Sequence, residues 1–463
     1  MKAIRPLDIT DVVLTSSDVT EPETGYPEFS AATTYAIAAT VSVNSPSKVV
    51  TITIASPGVV SWVAHGLREG QRLKFTTTGS LPTGLSTGVE YYVIPLTTNG
   101  NDSFRLSTSR NGPPIKTTGA QSGVHTAVVS SHRAYEALAP VTPTVVTMTI
   151  AAPCVVTWAA HGMAANTPII FTTTGALPTG LIPDRIYYVL APLAGSFNVS
   201  ATAGGAAITT TGTQSGVHTS TRPAPRLDST AWLELGATNR WKMFDGSLTS
   251  QTINPDAITN VFAVIGRADS VACLNIDAST LHIVQTDPID GIVFDHTYNL
   301  VSTEGIVDFY EYCFEPVIRL SDKVVTGLPP YAGSSLAVTL ANSGGTVACG
   351  AMVLGQSREI GDAERGSSVG IQDYSVKRQD DFGNWDILER AWSRTGNFTV
   401  YVDDGLVDAV FNLLATYRAT AIVYVGDDGE HTCMINYGFY KNFSLELAYD
   451  EFSIYTLETA SLA

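Results

Sequence analysis

Four histidines recur in pairs along this chain. His65 and His161 each sit in an Ala-His-Gly triplet, and His125 and His218 each sit in Val-His-Thr. Imidazole can ligate a metal or act as a general base near neutral pH. A metal site needs three or four converging ligands, and no cysteine or carboxylate recurs with these histidines in both copies. The other reading is a turn. Histidine tolerates a left-handed backbone better than most residues, and the following glycine removes the Cβ penalty. His65, Gly66, His161 and Gly162 are therefore expected as turn residues, with no metal and no cofactor. Asp380, Asp381, Asn384 and Asp386 in "RQDDFGNWD" lie out of register for a calcium loop and read as a solvated turn. Glycoside hydrolysis needs two carboxylates about 5–10 Å apart. Among Asp308, Glu311 and Glu315 nothing marks such a pair. No G-x-S-x-G, H-E-x-x-H or phosphate-loop pattern is present, so no enzyme is expected. Trp232, Trp241, Tyr35 and Tyr135 would stack on sugar rings if exposed. If buried, they supply the large residues that a small module needs for its core.

These residues lie in and around a repeat. "VVSWVAHGLREGQRLKFTTTGSLPTGL" from Val59 returns as "VVTWAAHGMAANTPIIFTTTGALPTGL" from Val155. The offset is 96 through Tyr91-Tyr92 and Tyr187-Tyr188. It falls to 93 at Gln121-Ser122-Gly123-Val124-His125-Thr126 and its copy, Gln214 to Thr219. The second copy is thus shorter between Pro192 and Phe197, as a hairpin loop tolerates. Alternating β-branched residues around Pro-Gly turns predict a small β-domain for each copy.

With both copies removed, the flanking pieces join. A strand ending near Val43, a strand over His132–Leu138 and an aromatic strand near Trp232 would form one module, interrupted in two loops. Loops accept insertions because closure entropy rises slowly with length. The organisation expected is a host module over 1–46, continued at 129–143 and 222–249, with inserted domains at 47–128 and 144–221. A β-sandwich of jelly-roll type over 250–366 and a small α+β element over 367–463 would follow. In the last element the apolar residues Leu406, Val410, Leu413, Leu414 and Tyr417 share one helical face. The fold class is mainly β, multidomain.

The "HGL…FTTTGALPTGL…YYV…TQSGVHT" cassette resembles a decoration of structural proteins in tailed bacteriophages. "TNRWKMFDG", "FGNWDILERAWS" and "YGFYKNFSLELAYDEFSIYTLE" resemble the remainder of a phage tail or baseplate-associated protein. The interrupted module is similar to a small aromatic module of such proteins, itself similar to chitin-binding modules. "GLPPYAGSSLAVTLANSGGTVACGAMVLG" resembles sandwiches of the galactose-binding kind. The resemblance implies a non-enzymatic virion protein of the tail tip, baseplate or fibre attachment, made in the bacterial cytoplasm. Its partners would be further copies of itself, other tail proteins and a host-surface glycan. The alternative it implies is a carbohydrate-binding receptor-recognition protein.

Charge agrees with that expectation. The net charge is −17, distributed unevenly. Residues 40–222 hold 10 Lys/Arg against 5 Asp/Glu, whereas 223–463 hold 14 against 32. An acidic C-terminal half disfavours nucleic acid, because phosphate contacts need cations. The mildly basic inserts are expected to face outward. No apolar run reaches about 18 residues, so no membrane span is expected, and the first residues lack a signal-peptide core. Cys154, Cys273, Cys313, Cys349 and Cys433 form no C-x-x-C pair and are expected as buried free thiols.

Overall fold

The computed structural model describes residues 1–96, 102–110, 112–225, 230–264, 267–302, 307–314, 316–379, 382–418, 420–427, 431–447 and 452–462. The chain is mainly β and forms two compact units, one of residues 22–238 and one of 1–21 with 239–463. Among the described residues no helix is long and apolar enough to cross a membrane.

The unit of residues 22–238 is built on a three-stranded antiparallel sheet, Trp232–Ala237, Arg133–Ala137 and Thr40–Val43 in that order. Each strand comes from a different side of the two repeats. Their inward residues, Val41, Tyr135, Ala137 and Trp232, close a core with Tyr35 and Val141. Phe29 stacks on Tyr35 at 5.5 Å and meets Trp232 edge-on at 5.6 Å. Four aromatic rings, with Tyr135 as the fourth, thus fill the core of a sheet too small for an aliphatic one.

Each repeat is a closed six-stranded barrel. In the first, the entering strand Ser47–Ile52 pairs with the leaving strand His125–Ser130. In the second, Thr144–Met148 pairs with His218–Thr221. Chain entry and exit lie side by side, the geometry that lets a loop carry a whole domain. Period-two alternation turns Leu73, Phe75, Tyr91, Val93, Phe104 and Leu106 into one barrel. Ile169, Phe171, Tyr187, Val189, Phe197 and Val199 fill the other. Closure leaves no unpaired sheet edge in either barrel. In the second barrel the connection between Ile186–Leu190 and Ser196–Ser200 is a tight hairpin, with the Leu193 N–H donating to Ser196 O at 2.8 Å.

The other unit is organised by one 25-residue strand, Ser335–Glu359. Its first half lies between Thr252–Ala263 and Thr280–Asp287, and its second half also pairs with Ser270–Asp277 and Lys2–Pro6. Cys349–Gly355 is buried on both faces, and only an apolar, small-residue run tolerates that. A bulge at Asp256, with φ +61°, interrupts the pairing, and its Oδ1 accepts the Gly344 N–H at 2.8 Å.

Three boundaries differ from the expected organisation, and the first is that residues 239–249 belong to the other unit instead of the interrupted module. Residues 1–21 do not join the interrupted module. Lys2–Pro6 is sandwiched between Ser335–Glu359 and Ile422–Val425, where Ala3 and Ile4 are completely buried. Nor does the chain divide into separate sheets at 366/367. Through Lys2–Pro6 the sheet continues into Ile422–Val425, Ile435–Glu446, Phe452–Ser461 and Trp392–Asp403. The helix Val407–Tyr417 packs Val410, Leu414 and Tyr417 against Phe398, Val400, Tyr424 and Tyr455 of this sheet, while Leu406 stays exposed.

Candidate functional site

Each histidine of the Ala-His-Gly triplets closes a turn, but not through its own backbone. The left-handed residues are its neighbours, Ala64 (φ +52°) and Gly66 (φ +58°), and Ala160 (φ +54°) and Gly162 (φ +58°). The expectation that histidine itself takes positive φ is corrected here. The side chain does the work. His65 Nδ1 accepts the Leu67 N–H at 3.0 Å, and Nε2 faces Ser103 O at 3.3 Å. His161 repeats both contacts, with the Met163 N–H at 3.0 Å and Leu193 O at 2.6 Å. An accepting Nδ1 puts the proton on Nε2, so each ring donates to the carbonyl that it faces. Each lies edge-on to a core phenylalanine, Phe104 or Phe197, at 5.1 Å. His125 and His218 are engaged by Thr77 and Thr173 Oγ1, both at 2.8 Å. Among the described residues no group of three His, Cys, Asp or Glu is arranged to hold a metal ion.

The proposed sugar-stacking aromatics are interior, which corrects that role. Tyr35, Tyr135 and Trp232 are buried in the three-stranded module, and Trp232 Nε1 donates to Pro223 O at 3.2 Å. Burial and the nearby Glu234 carboxylate push the Tyr135 hydroxyl up to about 12. Trp241 belongs to the other unit, in the single helical turn Asn239–Lys242. It is buried there, and its Nε1 donates to Glu21 Oε2 at 3.1 Å.

Of the acids, Asp308 and Glu311 lie on the short helix Phe309–Phe314 and its start, where Asp308 Oδ1 accepts the Glu311 N–H at 2.8 Å. Glu315, Asp380 and Asp381 lie outside the described residues. Asp386 is exposed in the strand Trp385–Leu388. Cys154, Cys273 and Cys349 are buried, and burial pushes their thiols up, Cys273 to about 12. Cys313 and Cys433 are exposed instead, on a short helix and a 3-10 turn that have no fully buried residue.

One cleft does gather chemistry, and its residues were not singled out in the sequence. It lies in the unit of residues 1–21 and 239–463, with a volume of about 170 Å³. Leu274, Ile435, Trp392 and Tyr437 are among the residues that line it. Trp392 keeps 49% of its surface in solvent. Beside it runs an ion pair, Arg394 Nη2 to Asp322 Oδ2 at 2.6 Å, with the Asp322 side chain only 6% exposed. Asp322 also accepts the Asn275 N–H at 3.0 Å and the Ser321 hydroxyl at 2.8 Å. Arg394 Nη1 donates to the carbonyls of Thr432 and Ile435. Its guanidinium lies 5.8 Å from the Trp392 ring centre. Burial, with Asp245 adding to it, raises the Tyr437 hydroxyl above the usual tyrosine range.

No known family model and no curated protein matches the chain. Function therefore has to be argued from its own residues.

The cleft escaped sequence reading because its pieces come from segments near 248, 274, 321, 392, 435 and 461. The only local trace is "AWSR", which sets Trp392 and Arg394 two apart on a strand and therefore on one face.

Proposed function

We propose that this chain is a non-enzymatic structural protein of a tailed-phage virion, a component of the tail tip, baseplate or fibre attachment. The observation that carries the reading is the duplicated barrel. Two copies of one closed domain, each entering and leaving on paired strands, interrupt a single three-stranded module. Such a mosaic enlarges a protein's exterior without adding a reaction centre. The resemblance of the cassette to phage decorations points the same way.

Exposed apolar segments support an assembled state. Phe309 is 80% exposed, and Tyr310, Tyr312 and Phe314 on the same short helix are also exposed. On the hairpin Val376–Gln379 with Trp385–Leu388, Phe382 is 91% exposed beside Trp385 and Ile387. Apolar groups in such number on a surface mark contacts with other chains, here further copies and other tail proteins. In this reading the barrels face outward and meet the host surface.

Mass spectrometry of purified virions, with copy number from the symmetry of the assembled particle, tests this. Recovery in fixed stoichiometry with tail proteins is expected. Absence from intact virions would sink the proposal.

A further inference from the structure

We infer that the cleft beside Trp392 is a binding site for one neutral pyranose unit of a polysaccharide. This goes beyond the assembly role and does not depend on it. An enclosed apolar cavity of about 150 Å³ holds a benzene ring, so an open cleft of about 170 Å³ has room for a six-membered ring. The lining is amphipathic, with Leu274 and Ile435 beside the Asp322–Arg394 pair. A pyranose has the same division, with C–H groups on its ring faces and hydroxyls around its rim. Trp392 offers the flat surface against which such a C–H face packs.

Charge narrows the choice. Asp322 and Arg394 neutralise each other at 2.6 Å. An anionic ligand would compete with Asp322 for the guanidinium, and a cation would compete with Arg394 for the carboxylate. A hydroxyl competes with neither, since it can donate to the one while accepting from the other. The pair is also held in place before any ligand arrives. Asn275, Ser321 and two backbone carbonyls fix its geometry, so little orientation entropy remains to be lost on binding. A nearly buried ion pair is expensive to desolvate and gives stability little net gain. Its position on a cleft wall beside a half-exposed tryptophan suits recognition.

The test is saturation-transfer difference NMR on the full chain with methyl glycosides of glucose, galactose, mannose, rhamnose and N-acetylglucosamine. At least one should receive saturation on its ring C–H protons, with a dissociation constant on the order of millimolar. Trp392→Ala should weaken that binding by about tenfold or more, equivalent to ~1.4 kcal/mol. Phe382→Ala, on the exposed hairpin outside the cleft, should leave it unchanged. Trp392 is half exposed, so its loss should leave the fold intact, which a thermal melt verifies. No transfer to any glycoside, or equal transfer to the Trp392→Ala protein, would overturn the inference. So would binding of N-acetylphenylalanine amide in place of the sugars.

Discussion

In the first barrel Lys48, Arg68 and Asp102 carry charges, whereas the matching positions of the second hold Thr144, Ala164 and Gly195. The second barrel has Asp184 and Arg185 where the first has Gly88 and Val89. These are the residues through which the pieces of this unit touch. Lys48 pairs with Asp184, Arg185 lies 3.7 Å from Asp102, and Arg68 meets Glu234 of the three-stranded sheet. Inside the barrels the contacts are the same in both. Thr117 and Thr210 each donate to a carbonyl, Thr53 O at 2.7 Å and Thr149 O at 2.8 Å. Tyr91 and Tyr187 each accept a backbone N–H at 2.7 Å. Shared residues thus include those that each barrel needs to fold, and several of the differences fall where the pieces meet.

The largest test of that equivalence is core truncation. Phe75 and Phe171 are completely buried at matching positions. Phe75→Ala and Phe171→Ala should each destabilise their own barrel by about 3–5 kcal/mol. Hydrogen exchange resolved barrel by barrel measures both, and a gap above about 1 kcal/mol would break the equivalence.

The supporting module should respond to alkali where the barrel cores do not dominate. The Tyr135 hydroxyl is pushed from 10 to about 12 in the folded protein. Below pH 10 both states keep the proton, and stability is unaffected. Between 10 and 12 the unfolded chain loses it first, so stability falls as pH rises. The drop should be about 2–3 kcal/mol by pH 12. Comparing denaturant midpoints for wild type and Tyr135→Phe isolates this share, which the variant should lack.

A smaller effect is expected at the turn histidines. His65→Ala and His161→Ala leave the Leu67 and Met163 amides without their imidazole acceptors. Each should cost about 1–2 kcal/mol, read as matched shifts in thermal midpoint. A loss confined to one barrel would show that the triplet has different work in the two.

Smallest of all are the docking charges. Lys48→Ala and Arg68→Ala should cost at most about 1 kcal/mol each, and the effect should fade at 1 M salt. Thr144→Ala and Ala164→Ser, at the matching places in the second barrel, should show no salt-dependent change. Thermal midpoints at low and high salt decide between these outcomes.

Much of this arrangement is legible in the chain itself. The repeated phrases mark two like domains, because the same alternation and glycine turns recur at a nearly constant offset. Leu406, Val410, Leu414 and Tyr417 announce their helix by spacing, although Leu406 itself stays outside it. Burial is less legible. Tyr35, Tyr135 and Trp232 fit an exposed platform as well as a core until the three strands are assembled. The cleft is less legible still, since Asp322 and Arg394 are 72 residues apart and neither sits in a telling motif. The least legible piece is "KAIRP" at Lys2–Pro6. Five residues with no alternating pattern could pair with almost any edge, and only the gap between two distant strands selects this one.

That short strand has a consequence for how the protein is made. Lys2 pairs with Val425, so its partner leaves the ribosome roughly 420 residues later. At about 5–20 residues per second, the wait is on the order of half a minute or more. Meanwhile both barrels, whose strands pair only within their own repeat, are complete and free to fold. The nascent chain would thus carry two folded barrels while Lys2–Pro6 still lacks its later partner strand.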